Sequence, residues 1–409
     1  MKVCIHRGSH EIGGNCIEVA AEGASILLDA GLPLQAPIAI RESVPAKQCN
    51  TPWAVLISHG HADHFGLVGQ YPSVPVHMGC AARRIIGAAS RYLRNPVLIP
   101  KGPALENRKT QVIGPFSITP YLVDHSAYDA YALHIESGGR SLFYTGDFRF
   151  HGRKADLLER LITSPPHVDT LLIEGTTIGR APKAESAFPS EEDVEHELAR
   201  LFGETSGLAL LQASPQNIDR VVSIYRACRR SKRTLVIDLY AAEVLAATEN
   251  PRIPQSTWPS ISLCLPRRQR IQVKNEKRFD VLADHARHRI YLDRDIVPNP
   301  EGFALLFSNA WRNELEGADC LRGAALIYSQ WAGYREGQSF ADTALWLARK
   351  GIPIHQVHAS GHADVQDLLR LARAFSAKQV VPIHCDAPEA FAGLLDNVTV
   401  RSDGEWWDV

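Results

Sequence analysis

Ser58-His59-Gly60-His61-Ala62-Asp63-His64 constrains this chain more than any other stretch. Four side chains able to bind a metal fall within its last six residues, spaced only by Gly and Ala. Just before it, Ala54-Val55-Leu56-Ile57 is an apolar run that reads as a buried strand. The His and Asp side chains therefore leave the end of a strand in a tight loop, and small spacers let the backbone curl until alternate side chains face one point. Neutral imidazoles and a carboxylate suit Zn²⁺ or a similar borderline ion. Buried without a cation between them, such groups would be costly.

The 409 residues leave room for two or three ordinary domains, or for one large domain carrying an insertion. With 45% hydrophobic and 22% charged residues, the chain reads as globular with ample core. A formal net charge of -1 predicts no polyanion partner from bulk charge, so any basic surface must be local. No apolar run approaches the ~20 residues of a membrane helix. The opening Met1-Lys2-Val3-Cys4-Ile5-His6-Arg7 lacks the apolar core of a signal peptide. Eight cysteines without a Cys-x-x-Cys, Cys385 among them, read as reduced thiols of a cytoplasmic protein.

Residues 1 to about 175 read as β-rich, with strands at 25–29, 118–123 and 171–173 and a hairpin of 131–135 with 141–145 around Gly138-Gly139. The stretch 176–189 has no period and reads as a loop. Ser190 then reads as a helix N-cap before Glu191, Glu192 and Asp193. Strand and helix patterns alternate afterwards (208–212, 219–230, 235–239, 324–328, 340–349), which predicts a parallel sheet. The segment 251–289 is poorly patterned and rich in Pro, Arg and Lys. The end returns to the opening style, with a strand at 352–357, an amphipathic helix at 364–375 and a strand at 380–383. The expectation is an α/β chain in which one domain, 1–175 with 346–409, is interrupted by a second at 176–345.

The candidate reactive residues share one context. Asp29, His59, His125, Asp147, Glu174 and His384 each follow an apolar run, and the C-terminal ends of buried strands are where layered α/β folds build their sites. The inventory suits two metals. His59, His61 and His125 could hold one ion, and Asp63, His64 and His384 the other, with Asp147 bridging. Two ions about 3.5–4 Å apart would activate water for displacement at phosphorus. Glu174 and His362 remain as acid/base groups, and Asp29 would orient a ligand of the central loop. His6, His10, His77, His134, His151, His167, His196, His285, His288 and His355 lack this context and read as structural or solvated.

These residues resemble the metallo-β-lactamase superfamily: His59-x-His61-x-Asp63-His64 with Asp29, His125 and Asp147. Glu174, His362 and His384 resemble the further motifs of its β-CASP nucleases, the two histidines standing 384 − 362 = 22 residues apart as in that group. The chain is most similar to RNase J-like and cleavage-factor-like ribonucleases of that group, and Asp124-His125-Ser126, Thr145-Gly146-Asp147-Phe148, His358-Ala359-Ser360-Gly361-His362 and Pro382-Ile383-His384 resemble RNase J segments. The resemblance implies a metallo-β-lactamase αββα sandwich with an inserted β-CASP cap, two Zn²⁺ with Mn²⁺ as the alternative ion, and hydrolysis of RNA phosphodiesters. Asp63 would take part in catalysis as well as in binding metal, and Glu174 with His362 would protonate the leaving 3′ oxygen. His384 resembles the RNA-directed members, which makes single-stranded RNA the expected partner. Ser329, His358 and Ser360 are carried over as phosphate contacts. Three features depart from the family: Gly175 after the glutamate, Ala127-Tyr128 after His125-Ser126, and an end at Val409 where RNase J enzymes continue into a domain that helps them oligomerise. Homodimerisation therefore stays open.

One feature outside the motifs also suits RNA. Arg267, Arg268, Arg270, Lys274, Lys277 and Arg278 fall within twelve residues, and Arg229, Arg230, Lys232 and Arg233 form a second cluster. Such clusters attract phosphate or are simply a solvated surface. The competing functions are a DNA-directed nuclease of the same architecture, a thioesterase or lactonase of the superfamily, and a non-catalytic RNA-binding subunit.

Overall fold

Strand alternation sets the layers of the protein. Along Arg140–Tyr144, Leu142 and Tyr144 face one side and Phe143 the other, the two-residue period of a strand. Ile26 and Leu28 face oppositely to Leu27 in Ala24–Leu28 for the same reason. The computed structural model of the chain describes residues 1–34, 52–93, 96–179 and 188–409. Within these, the chain forms two compact units, Met1–Phe188 with Gly361–Val409, and Pro189–Ser360.

The first unit holds two sheets. One runs Trp406–Asp408, Lys2–Arg7, Cys16–Ala21, Ala24–Leu28, Ala54–Leu56, Val76–Gly79, Ala104–Leu105. The other runs Gln379–Ile383, Thr170–Glu174, Arg140–Tyr144, Ala130–Ser137, Phe116–Val123, Gln111–Ile113. Val3, Ile17, Ile26, Leu28 and Leu56 of the first meet Ile118, Leu133, Leu142, Leu172 and Val381 of the second in one core. Helix Cys80–Ser90 covers the outer face of the first sheet through Ala82 and Ile86. Ala155–Thr163 and Val365–Phe375 cover that of the second through Leu158, Leu161, Leu368, Leu371 and Phe375. This is an αββα sandwich. No helix among the described residues is long and apolar enough to cross a membrane.

The second unit is a parallel sheet in the order Ile261–Leu263, Thr234–Ile237, Phe303–Leu306, Ala209–Gln212, Ala325–Tyr328, Ile354–Gln356. Its first helix, Glu191–Glu204, starts at Ser190 with a reciprocal cap: Asp193 N donates to Ser190 Oγ at 3.1 Å, and Ser190 N donates to Asp193 Oδ2 at 2.8 Å. The units divide at 188/189 and 360/361, where sequence patterning placed the changes at 175/176 and 345/346. Ile354–Gln356 pairs with Ala325–Tyr328, and helix Gln338–Arg349 packs Trp346 and Leu347 into the same core, so both belong to the second unit. Residues 180–187 of the expected loop lie outside the described residues. The unpatterned segment 251–289 contains Ile261–Leu263 and two helices, Arg267–Asn275 and Phe279–His285. Its helices bury little, so they carry no strong apolar period.

In the second basic cluster Arg229, Arg230 and Lys232 are exposed, but Arg233 is not available to phosphate. Arg233 is buried and donates to the carbonyls of Phe202, Gly207, Phe303 and Thr205. Arg230 pairs with Glu195 at 2.8 Å. Arg267, Arg268 and Arg270 are exposed, with Arg270 paired to Glu314 at 2.9 Å.

Candidate metal centre

Six strands of the first unit end on polar residues at one end of the sandwich. Asp29 follows Ala24–Leu28, the loop from Ser58 follows Ala54–Leu56, His125 lies just past Phe116–Val123, Asp147 past Arg140–Tyr144 and His384 past Gln379–Ile383; Glu174 closes Thr170–Glu174. The loop itself is anchored by backbone. Asn15 N donates to Asp63 O at 3.1 Å, Ala30 N to His64 O at 2.8 Å and Leu32 N to Ala62 O at 2.9 Å. A Cβ on Gly31 would stand 1.7 Å from Asp63 O, so only glycine allows this approach. Asp29 and His384 hold positive φ, 60° and 49°, strained backbone of the kind found where a site dictates conformation.

Hydrogen bonds orient the imidazoles. Ser58 Oγ donates to Asp29 Oδ2 at 2.8 Å and accepts from His59 Nδ1 at 3.0 Å. His64 Nδ1 donates to Asp29 Oδ2 at 2.7 Å, His125 Nδ1 to Gly361 O at 2.5 Å and His384 Nδ1 to Asn15 Oδ1 at 3.1 Å. Each ring is thereby assigned the tautomer that turns Nε2 inward as a lone pair. His61 turns Nδ1 inward, 3.1 Å from both His59 Nε2 and His125 Nε2. One N–H on His61 can satisfy only one of those two neighbours, whereas a cation satisfies all three.

Asp147 stands among them. Its Oδ2 lies 3.6 Å from His59 Nε2, 3.1 Å from His64 Nε2 and 3.9 Å from His125 Nε2. Asp63 Oδ2 lies 3.9 Å from both His64 Nε2 and His384 Nε2. Two groups could each hold an ion: His59, His61, His125 and Asp147, and Asp63, His64 and His384. A third combination joins Asp147, His362 and His384. Tetrahedral zinc with Zn–N near 2.05 Å sets its ligand atoms about 3.3 Å apart, close to these spacings. Among the described residues, the buried His384 Nε2 and Asp147 Oδ1 find no hydrogen-bond partner, which is how atoms meant for a cation present themselves.

The electrostatics agree. Burial lowers the pKa of His59 and His125 strongly, and of His61 and His384 less, keeping them in the neutral form that binds metal. Burial alone would raise Asp147, but His384, His64 and His362 outweigh it and keep the carboxylate ionised. At His64, Asp147, Asp29 and Asp63 outweigh burial and raise the pKa well above the usual value, so an ion must displace a proton there.

Glu174 and His362 are paired beside this cluster. Glu174 Oε1 accepts from Phe148 N at 2.8 Å and Oε2 from His362 Nδ1 at 2.9 Å. Burial opposes the charged form of His362, but Glu174 and Asp147 outweigh it and raise its pKa to about 9. His362 keeps 24% of its side chain exposed against 1% for Glu174, so it faces the open side of the site.

Several residues of this arrangement carry no motif signal. Asn15, Ser58 and Tyr144 orient ligands, and Tyr144 OH donates to Asp29 Oδ2. Arg149 N donates to Asp124 O at 2.8 Å and ties the Asp147 loop to the His125 loop. The expected phosphate contacts Ser329 and His358 meet a buried arginine that patterning also missed. Arg220 donates from Nη1 to Ser329 Oγ at 2.7 Å, lies 3.3 Å from His358 Nδ1, and pairs with Glu191 at 2.9 Å. Ser329 Oγ in turn donates to Val357 O at 2.6 Å. Ser360 follows at the end of the same unit.

The Asp29 contacts make a prediction. Three donors, from Ser58 Oγ, His64 Nδ1 and Tyr144 OH, converge on Oδ2, and Ser58 N donates to Oδ1 at 2.7 Å. Asp29→Asn cannot accept all four, because its amide nitrogen faces donors. Metal affinity should fall by ~10–100-fold, the usual effect of losing a group that orients a ligand. Competition with a chromophoric chelator measures this, with circular dichroism to show the fold retained.

Two family models match the chain: the metallo-beta-lactamase superfamily over residues 11–187, and the Zn-dependent metallo-hydrolase RNA specificity domain over residues 350–400. Ribonuclease J of Mycobacterium tuberculosis is 25% identical over 367 residues, covering 81% of this chain and 58% of that protein. The transcription termination factor FttA of Lokiarchaeum sp. is 27% identical over 222 residues, covering 48% of this chain and 34% of that protein. The chain thus spans less than two thirds of the length of these relatives. A crystal structure of a protein of unknown function from Enterococcus faecalis V583 shares the fold, with a TM-score of 0.80, 23% identity and 99% of each chain covered.

Proposed function

The chain belongs to the metallo-β-lactamase superfamily, joined to an RNA-specificity domain, and from that premise we propose a metal-dependent ribonuclease of the β-CASP type. The observation that carries the proposal is the set of inward-facing imidazole nitrogens around Asp147, with the Glu174–His362 pair beside it. His59, His61, His125 and Asp147 would hold one divalent ion, and Asp63, His64 and His384 a second, with Asp147 shared. Zinc suits the nitrogen-rich set. Ions bound there supply polarisation of the phosphodiester and activation of the attacking water. The described cysteines are all free thiols, which supports a reducing, cytoplasmic setting. The similarity to Ribonuclease J and the exposed Arg267, Arg268 and Arg270 support RNA as substrate.

The chain's own groups do the rest. Asp29, Ser58, Asn15 and Gly361 O keep the ligand rings turned inward. Asp63, with 15% of its side chain exposed, would orient the attacking water. His362 enters the reaction charged. Its Nδ1–H is engaged by Glu174, so transfer to the leaving 3′ oxygen is through Nε2–H. Glu174 fixes the ring and stabilises its charge.

The test uses a short single-stranded RNA labelled separately at its 5′ and 3′ ends, with Zn²⁺ or Mn²⁺, beside Asp63→Ala and a matched DNA. RNA cleavage that vanishes in Asp63→Ala, with the DNA spared, is the expected result, and the two labels separate terminal from internal cutting. Intact RNA with metal verifiably bound would discard the ribonuclease reading in favour of a small-molecule ester hydrolase.

A further inference from the structure

Trp331 and Tyr334 are exposed at 50% and 59% and lie against each other, two large rings on one stretch of surface. They belong to the turn at Ala332–Glu336 and its preceding residue, directly after strand Ala325–Tyr328. This is the C-terminal end of the parallel sheet, the end at which open α/β sheets place their ligands.

The rings are held in place. They meet edge to face, with centroids 5.3 Å apart and planes at 89°. A Cβ on Gly333 would fall 2.2 Å from the Trp331 ring, so one indole face lies directly on the Gly333 backbone. Tyr328 OH donates to Trp331 O at 3.4 Å, which fixes the start of the turn. Arg335, next in the chain to Tyr334, stacks over Tyr328 and Phe340 at 5.8 and 5.2 Å from their centroids and adds a positive charge to the same turn. A rigid aromatic surface with an adjacent cation is complementary to a base and its phosphate, the combination by which proteins bind single strands without reading sequence.

We propose that Trp331 and Tyr334 are a stacking platform for unpaired bases of the substrate strand. The proposal rests on the ribonuclease reading and adds to it a base-stacking subsite that a duplex, whose bases are already stacked on their neighbours, cannot use. Gly333 is part of the device, because any side chain there displaces the indole.

The experiment measures binding of a short phosphorothioate RNA carrying 2-aminopurine to the metal-loaded protein, beside its blunt duplex. Binding of the single strand should quench the 2-aminopurine by stacking. Trp331→Ala and Tyr334→Ala should each weaken binding by roughly tenfold and remove most of the quenching, while Trp331→Phe restores both. Unchanged affinity and no quenching in a wild type that binds the strand would overturn the platform and leave the ribonuclease reading standing. Equal binding of the duplex would also overturn it. Wild-type protein that binds no RNA would overturn both. Variants that alter only the sedimentation of the protein would assign the rings to contact between copies of the chain and discard the platform.

Discussion

Asp147→Ala is expected to lose bound divalent ion and all measurable cleavage together. One carboxylate faces His59, His64, His125 and His362 through Oδ2, at 3.6, 3.1, 3.9 and 3.7 Å, and His384 through Oδ1 at 3.9 Å. It belongs to the histidine-rich group and, with His362 and His384, to another. Without it, the imidazoles would have to share cations with no compensating charge between them, in a site where burial makes every uncompensated charge expensive. The fall in metal affinity should exceed the ~10–100-fold expected of Asp29→Asn, which only misorients a ligand. Thermal unfolding separates this from misfolding. Zinc should raise the melting temperature of the wild type, because a ligand of the native state stabilises it by mass action, and should leave that of Asp147→Ala unmoved. A variant that unfolds early even in excess chelator would show a structural role instead. Asp147→Asn keeps the volume and tests the charge alone.

The parts of this architecture legible in the sequence are those written in local pattern. Continuous apolar runs ending on polar residues marked the strands before Asp29, His125, Asp147 and His384, because a buried strand must be apolar until it leaves the core. The capped helix at Ser190 was legible for a similar reason, its signal lying within four residues. The orienting partners were not legible. Asn15 reaches His384 across 369 positions and Tyr144 reaches Asp29 across 115, and neither residue type is unusual where it stands. Arg220 was hidden inside a helix whose pattern called only for apolar residues on one side. It is fully buried, held by Glu191, Ser329 and carbonyl oxygens. Arg233 misled for the converse reason. It adjoins the basic run Arg229-Arg230 and yet serves backbone carbonyls, a distinction that spacing does not carry. The domain boundaries slipped because a sheet edge is defined by its pairing partner. The strand at Ile354–Gln356 reads the same whichever unit it joins.

His362→Ala is expected to keep metal and lose rate. The ring lies at the open side of the site, and its neighbours Glu174 and Asp147 hold it protonated up to about pH 9. Without it, the leaving 3′ oxygen of RNA departs as an alkoxide, and cleavage should slow by ~10²–10⁴-fold, the range for losing a positioned general acid. Glu174→Gln should act in the same direction by a different route. Its Oε1 still accepts from Phe148 N, but the amide cannot hold the charge of the imidazolium, so the ring's pKa falls. The pH–rate profile therefore discriminates the two. In the wild type rate should be lost at alkaline pH as His362 gives up its proton; in Glu174→Gln that limb should move to lower pH, and in His362→Ala it should vanish. A substrate with an activated phenolate leaving group needs no proton, so it should be hydrolysed by both variants nearly as fast as by the wild type. If His362→Ala cleaves RNA at the wild-type rate, the proton comes from elsewhere. If it loses the activated substrate to the same extent, His362 serves the metal through its approach to Asp147 and His384 instead.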